Sequence, residues 1–172
     1  MTKRLPTYPR ILSIAPTTRG FGFVILEGLD TLADWGVKSV EGDKNTKSLT
    51  KVGALIAHYQ PEVVVLENTE TKNSRRSARI RSLNRQIVVL ARSRKLRVAL
   101  FSQDETRPAF FADGQGTRHA LAEIIAERFP EELGTRLPPN RRPWMSEDYR
   151  MGIFDAVALA WALRLKKSKR TA

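Results

Sequence analysis

The stretch Ile11-Leu-Ser-Ile-Ala-Pro-Thr-Thr-Arg-Gly-Phe-Gly-Phe23 decides the fold, because it places two β-prone runs on either side of a short turn. The aliphatic run at residues 10–15 and the second run at 21–26 enclose a turn that contains both proline and glycine. Two such runs around such a turn predict a β-hairpin. A third run at 32–40 follows the next turn and extends the hairpin into an antiparallel three-stranded meander.

Beyond the meander, apolar residues alternate between helical spacing and the short continuous runs that are typical of strands buried on both faces. Helices are predicted at residues 46–58, 77–94, 117–129 and 146–165, and strands at 62–66 and 97–102. Ser146 is expected to cap the last helix. This order predicts one α/β domain over residues 1–172, with a mixed five-stranded sheet flanked by helices. A basic, flexible tail is expected from about 166 to 172.

The composition points to a polyanionic partner. The chain has 172 residues with 30 Lys and Arg against 18 Asp and Glu, a net charge of +12, and a pI of about 10.6. The absence of cysteine excludes a disulfide scaffold, a thiolate zinc site and a thiol nucleophile, and fits a cytoplasmic location. No secretion signal or membrane segment is expected, because the longest apolar stretch, residues 151–165, contains charges and is too short to span a bilayer.

The positive charge is concentrated in a segment without acids, between Glu70 and Asp104. Guanidinium groups bind phosphate oxygens at two points, so this segment predicts a nucleic-acid contact rather than a merely solvated face. A proline-rich loop at 134–143 adds three arginines, Arg136, Arg141 and Arg142, and Trp144 beside it is a candidate for a base or sugar contact. The predicted nucleic-acid-binding residues are Lys72, Arg75, Arg76, Arg79, Arg81, Arg85, Arg141 and Arg142.

Two carboxylates lie in or next to apolar stretches of the sequence. Asp155 lies in an almost wholly apolar helix, where a carboxylate is costly unless it caps, pairs with a distant arginine or binds a metal. Glu67 ends a buried strand, at the sheet edge where sites of α/β proteins form, although it could be an ordinary strand-end residue. Taken together, two hard oxygen ligands beside a basic segment are the pattern of magnesium-assisted phosphodiester chemistry.

Over nearly its whole length the chain resembles the RuvC family of Holliday-junction resolvases, within the ribonuclease-H-like superfamily. The motifs that carry the resemblance are the hairpin at residues 11–23, the strand Val63-Val-Val-Leu-Glu67 and the helix Asp155-Ala-Val-Ala-Leu-Ala160. The resemblance implies a ribonuclease-H-like sheet and a homodimer that clasps a four-way DNA junction. It also implies that Glu67 and Asp155 are catalytic metal ligands, which hold Mg²⁺ or Mn²⁺ with two further acids.

The chain departs from that pattern at three positions. Ala15 stands where the family has its first-strand aspartate, Thr17 where it has a glycine, and Gly152 where the last helix carries its second acid. Asp148 is the nearest substitute, but it lies two helical turns, about 10 Å, before Asp155, which is too far to share one ion unless the helix start bends. Glu147 is the other acid that could serve as a third ligand.

Two explanations account for Ala15: an engineered replacement that abolishes cutting, or a branch that has lost its metal site, and departures at three positions favour the second. Two functions follow. The chain is a Mg²⁺-dependent endonuclease for branched DNA, or a non-catalytic DNA- or RNA-binding protein that keeps the fold and the basic face. A nucleotide phosphotransferase of the actin-like superfamily is disfavoured, because its domain pair needs about twice as many residues and the only glycine-rich pattern is the short Gly114-Gln-Gly116.

Overall fold

A computed structural model describes the backbone of residues 8–171, and it describes side chains as far as Lys166. The strands are β1 (Ile11–Pro16), β2 (Gly20–Glu27), β3 (Thr31–Ser39), β4 (Val63–Glu67) and β5 (Arg97–Phe101). The helices are α1 (Lys44–Tyr59), α2 (Ala78–Ser93), α3 (Gln103–Thr106), α4 (Arg118–Arg128), α5 (Pro130–Leu133) and α6 (Met151–Thr171), with 3₁₀ turns at Arg107–Ala109 and Gly134–Arg136.

The five strands form one mixed sheet in the order β3-β2-β1-β4-β5. The first three strands are antiparallel, with Ile14 opposite Phe23, and β1, β4 and β5 run parallel, with Leu12 beside Val64. The predicted ribonuclease-H-like sheet is therefore confirmed. Because parallel strands point the same way, the carboxyl ends of β1, β4 and β5 meet at one edge of the sheet.

The sheet is covered on both faces, which explains the uninterrupted apolar runs of β1 and β4. Ile11 and its alternate neighbours pack under α4 and α6, whereas Leu12 and Ile14 pack under α1 and α2. The buried Ser13 hydroxyl donates a hydrogen bond of 2.6 Å to the carbonyl oxygen of Ala156. This bond fixes α6 against β1, and with it the position of the residues on either side of Ala156.

The structure corrects the predicted bounds of the last helix. The helix begins at Met151 rather than at Ser146, because the Asp148 side chain accepts from the backbone N–H of Arg150 at 2.9 Å and forms the turn that starts it. Glu147 forms an ion pair with Arg118. At the other end the helical backbone of α6 continues past the predicted end at residue 165 to Thr171, since no proline or glycine follows Gly152. Ala172 lies outside the described residues.

Among residues 8–171, no helix combines the length and the apolar character needed to cross a bilayer.

Candidate functional site

The carboxyl edge of the sheet carries a cleft in which three of the predicted site residues meet. Ala15 at the end of β1, Glu67 at the end of β4 and Asp155 on α6 line a cavity of about 110 Å³. Part of its wall is apolar and includes Phe101 and Leu121. Ala15 and Asp155 are 140 positions apart in the sequence, yet both lie beside Glu67 in the structure.

Glu67 is held by an arginine that had been predicted to contact nucleic acid. The Arg76 guanidinium donates from Nε to Oε2 at 2.8 Å and from Nη2 to Oε1 at 3.3 Å, and Gln103 donates to Oε1 at 3.1 Å. Burial by itself lowers the pKa of Arg76, but the hydrogen bond and charge of Glu67 and the charge of Asp155 outweigh it and raise that pKa above its ordinary value. The Glu67 carboxylate is therefore neutralised by a fixed cation.

Asp155 is held in the same way by an arginine that no sequence pattern indicated. Arg118, in the first turn of α4, donates from Nε to Oδ1 at 3.0 Å and from Nη2 to Oδ2. Of the alternatives left open for Asp155, pairing with a distant arginine is the one observed. A separation of 37 positions leaves no periodic signal, so only the packing of α4 against α6 could reveal this partner.

The two candidate third acids have different surroundings. Asp148 forms its ion pair with Arg150 at 2.7 Å and does not line the cavity. The hydrogen bond from Arg150 is the largest cause that lowers the pKa of Asp148 below its ordinary value. Glu147 instead contacts Nη1 of Arg118, the guanidinium that also holds Asp155. Asp148 therefore faces Arg150 rather than the cavity that holds Glu67 and Asp155, and its role as a third ligand stays a prediction.

Close packing against β2 explains why position 152, where the family resemblance places a second acid, is a glycine. A Cβ on Gly152 would lie 2.9 Å from Cγ2 of Thr17 and 3.1 Å from the backbone nitrogen of Gly22. In the reverse direction, a Cβ on Gly22 would lie only 2.2 Å from the carbonyl carbon of Gly152. Helix α6 thus meets β2 backbone to backbone, and a carboxylate side chain has no room at position 152.

The residues of the cleft do not fit the divalent ions that the resemblance implies. Within the part of the chain that the structure describes, no three acidic or histidine side chains are grouped to hold a metal ion. A methyl group stands at Ala15, and the oxygens of Glu67 and Asp155 already accept from guanidinium groups. Two carboxylates are balanced by two cations, whereas a Mg²⁺ site requires carboxylate oxygens free to bind the ion.

Most of the predicted phosphate contacts on the basic segment have partners inside the molecule. In addition to Arg76, Arg79 donates to the carbonyl of Thr17 at 3.0 Å, Arg81 to that of Ser74 at 3.1 Å and Arg85 to the carboxylate of Glu70 at 2.6 Å. The sequence could not show these bonds, because they join loops and strands to the start of α2. Lys72 and Arg75 are exposed and have no hydrogen bond or ion pair among the described residues.

A second basic surface lies in the irregular segment before α6. Arg141 and Arg142 are exposed, and Trp144 is 76% exposed with the Arg142 guanidinium 5.5 Å from its ring centre. Tyr149 is 46% exposed with Arg19 at the same distance from its ring. These aromatic side chains are available to a partner.

The sheet order and the cleft at its carboxyl edge define a ribonuclease-H-like fold of the RuvC type. The RuvC structure of Thermus thermophilus has 18% sequence identity and a TM-score of 0.65, over 93% of this chain and 96% of that one. RuvC of the same organism in complex with Holliday junction substrate has 16% identity and a TM-score of 0.68, over 96% and 98%. The yeast mitochondrial Holliday junction resolvase has 16% identity and a TM-score of 0.59, over 96% and 85%. No family model matches the sequence, and no curated protein matches it.

Proposed function

We propose that this chain binds branched DNA of the Holliday-junction type on a RuvC-like fold and does not cut it. The observation that carries the proposal is the state of the cleft, where Arg76 pairs with Glu67 and Arg118 pairs with Asp155. The exposed cations Lys72 and Arg75 lie in the loop beside this cleft. Branched DNA is favoured over other nucleic acids because the fold is shared with a RuvC whose structure contains a Holliday junction substrate.

Four exposed cations are proposed to contact the phosphates. Arg75 lines a second depression of about 350 Å³, which shares Glu67 and Arg76 with the cavity described above. Lys72 precedes it in the same loop, and Arg141 and Arg142 lie in the segment before α6. Because these side chains are exposed and the chain carries a net charge of +12, binding should weaken steeply with salt.

The proposal includes a homodimer, because a four-way junction presents equivalent arms to two copies of one protein. Sedimentation equilibrium of the free chain and of its junction complex measures this part of the proposal directly. Two copies per junction support it, and one copy per junction contradicts it.

Fluorescence anisotropy tests the binding function with a labelled four-way junction, a duplex of the same sequence and an RNA duplex, from 50 to 300 mM salt. We expect the junction to bind tightest. The pair Lys72→Ala and Arg75→Ala should reduce the salt slope by about 2, because each phosphate contact contributes about 0.9. The matched control is Arg92→Ala with Arg94→Ala, which removes the same charge at the carboxyl end of α2, about 20 Å from the start of that helix, and should leave the slope nearly unchanged.

The same complexes, incubated with Mg²⁺ or Mn²⁺, test the absence of cutting. Strand scission that Glu67→Ala abolishes would restore the alternative, a metal-dependent junction endonuclease. Equal affinity for junction and duplex would overturn the preference for branched DNA, and stronger binding to RNA would assign the basic surface to RNA.

A further inference from the structure

The segment just before α6 presents a patch of exposed apolar side chains on a basic background. Trp144, Met145 and Tyr149 are 76%, 41% and 46% exposed, within six residues of one another. Single exposed apolar side chains are common, but several close together mark an interaction surface. We refer to Trp144 and Tyr149, with the arginines Arg142 and Arg19 that cover them, as the aromatic rim.

Each ring of the aromatic rim carries a guanidinium on one side. The Arg142 guanidinium lies 5.5 Å from the centre of the Trp144 ring, and that of Arg19 lies 5.5 Å from the centre of the Tyr149 ring. A cation over one face of an aromatic ring holds the ring in place and leaves the opposite face for a further planar group. The rim is therefore arranged for stacking next to positive charge.

The aromatic rim is anchored to the cleft. Glu147, between the two aromatic residues, forms an ion pair with Arg118 on the cavity wall. On the other side, the turn that carries Arg19 accepts a hydrogen bond at Thr17 from Arg79, at the basic start of α2. The rim is thus joined to the wall of the cavity through Arg118 and to the start of α2 through Arg79.

The charged side chains of residues 141–150 indicate which class of partner fits the aromatic rim. The carboxylates of Glu147 and Asp148 are paired with Arg118 and Arg150, whereas Arg141 is exposed and has no ion pair among the described residues. A surface that offers aromatic faces and free cations fits a ligand with planar groups joined by phosphates. In duplex DNA neighbouring pairs cover the faces of each base, so free faces occur only where bases are unpaired or unstacked.

We infer that the aromatic rim is a contact site for unpaired or unstacked bases, with Trp144 as the main stacking residue. This inference rests on the proposed function and adds to it a means of distinguishing branched from continuous DNA. It assigns no chemical step to the rim, and the cavity that holds Glu67 and Asp155 has no part in it.

Binding of three DNAs by a set of Trp144 variants tests the inference: a four-way junction, oligo(dT) and a fully paired, closed-end duplex. Trp144→Leu should weaken binding to oligo(dT) and to the junction by about 5- to 150-fold, the range for loss of one stacked base. It should leave duplex affinity and the salt slope unchanged. Trp144→Phe should restore most of the loss, and Val89→Ala, at a site on α2 that is 68% exposed, is the matched control with no effect.

Tryptophan fluorescence gives an independent readout. Trp35 and Trp161 are partly buried and packed against the core, so quenching by added oligo(dT) should come from Trp144 and disappear in Trp144→Phe. Equal weakening of all three DNAs by Trp144→Leu, or no weakening, would overturn the inference while leaving the proposed function in place. A wild-type chain that binds none of the DNAs would overturn both.

Discussion

Restoring the missing aspartate should not restore a metal site in this protein. Ala15→Asp returns the acid that the family resemblance places at the end of β1, next to Glu67 and Asp155. The two arginines still occupy the carboxylate oxygens that a metal ion would need. We therefore expect the single variant to bind Mg²⁺ and Mn²⁺ no better than the wild type.

The size of the effect can be worked out at Glu67. A Mg²⁺ ion on Oε2 would lie about 2.1 Å from that oxygen, and Nε of Arg76 lies 2.8 Å from the same oxygen. The two cations would be at most about 5 Å apart, where their repulsion is about 7 kcal/mol at an effective dielectric constant of 20. Millimolar affinity corresponds to only about 4 kcal/mol. The guanidinium must leave before the ion can bind.

Calorimetry and Mn²⁺ electron paramagnetic resonance should compare the wild type, Ala15→Asp, and Ala15→Asp combined with Arg76→Met and Arg118→Met. Only the triple variant is expected to bind Mn²⁺ at submillimolar concentration, because it alone has three carboxylates without fixed cations. Ala15→Asn combined with the same two arginine substitutions controls for shape, since asparagine adds nearly the same volume as aspartate without its charge. Submillimolar binding by Ala15→Asp alone, together with cutting of the junction in Mg²⁺, would refute the reasoning.

Three further predictions concern stability. Arg118→Met should lower the free energy of unfolding, measured by urea denaturation, by about 1–3 kcal/mol. This loss is smaller than for a fully buried ion pair because the Arg118 side chain is 33% exposed. Adding Asp155→Asn should recover most of the loss, because it removes the unpaired charge. Gly152→Ala should cost about 1–3 kcal/mol through overpacking, and Thr17→Ser, which removes the Cγ2 atom 2.9 Å away, should recover part of that cost. The pKa of Asp148 lies below its ordinary 3.8, so its contribution is present above pH 3.8 and lost as the pH falls through the lowered value; Asp148→Asn should flatten that decline in acid urea titrations.

The order of helices and strands was predictable because it depends on patterns close together in the sequence. The turn between β1 and β2, the two-faced burial of β4 and the helical spacing in α2 are all visible within windows of fewer than 20 residues. The start of α6 was predicted wrongly because two capping side chains compete within this short stretch, and it is Asp148, which accepts from the backbone N–H of Arg150, rather than Ser146 that precedes the first helical residue, Met151.

For the site, the sequence by itself determined which acids remain and which are missing. Glu67 and Asp155 are present and Ala15 is not an acid, whatever the fold. Only the tertiary structure decided what those acids do, because the partner of Asp155 is 37 positions away. Ion pairs and backbone contacts of this kind depend on distances between packed elements. Sequence spacing encodes the faces of single helices and strands, but it does not encode the distances between them.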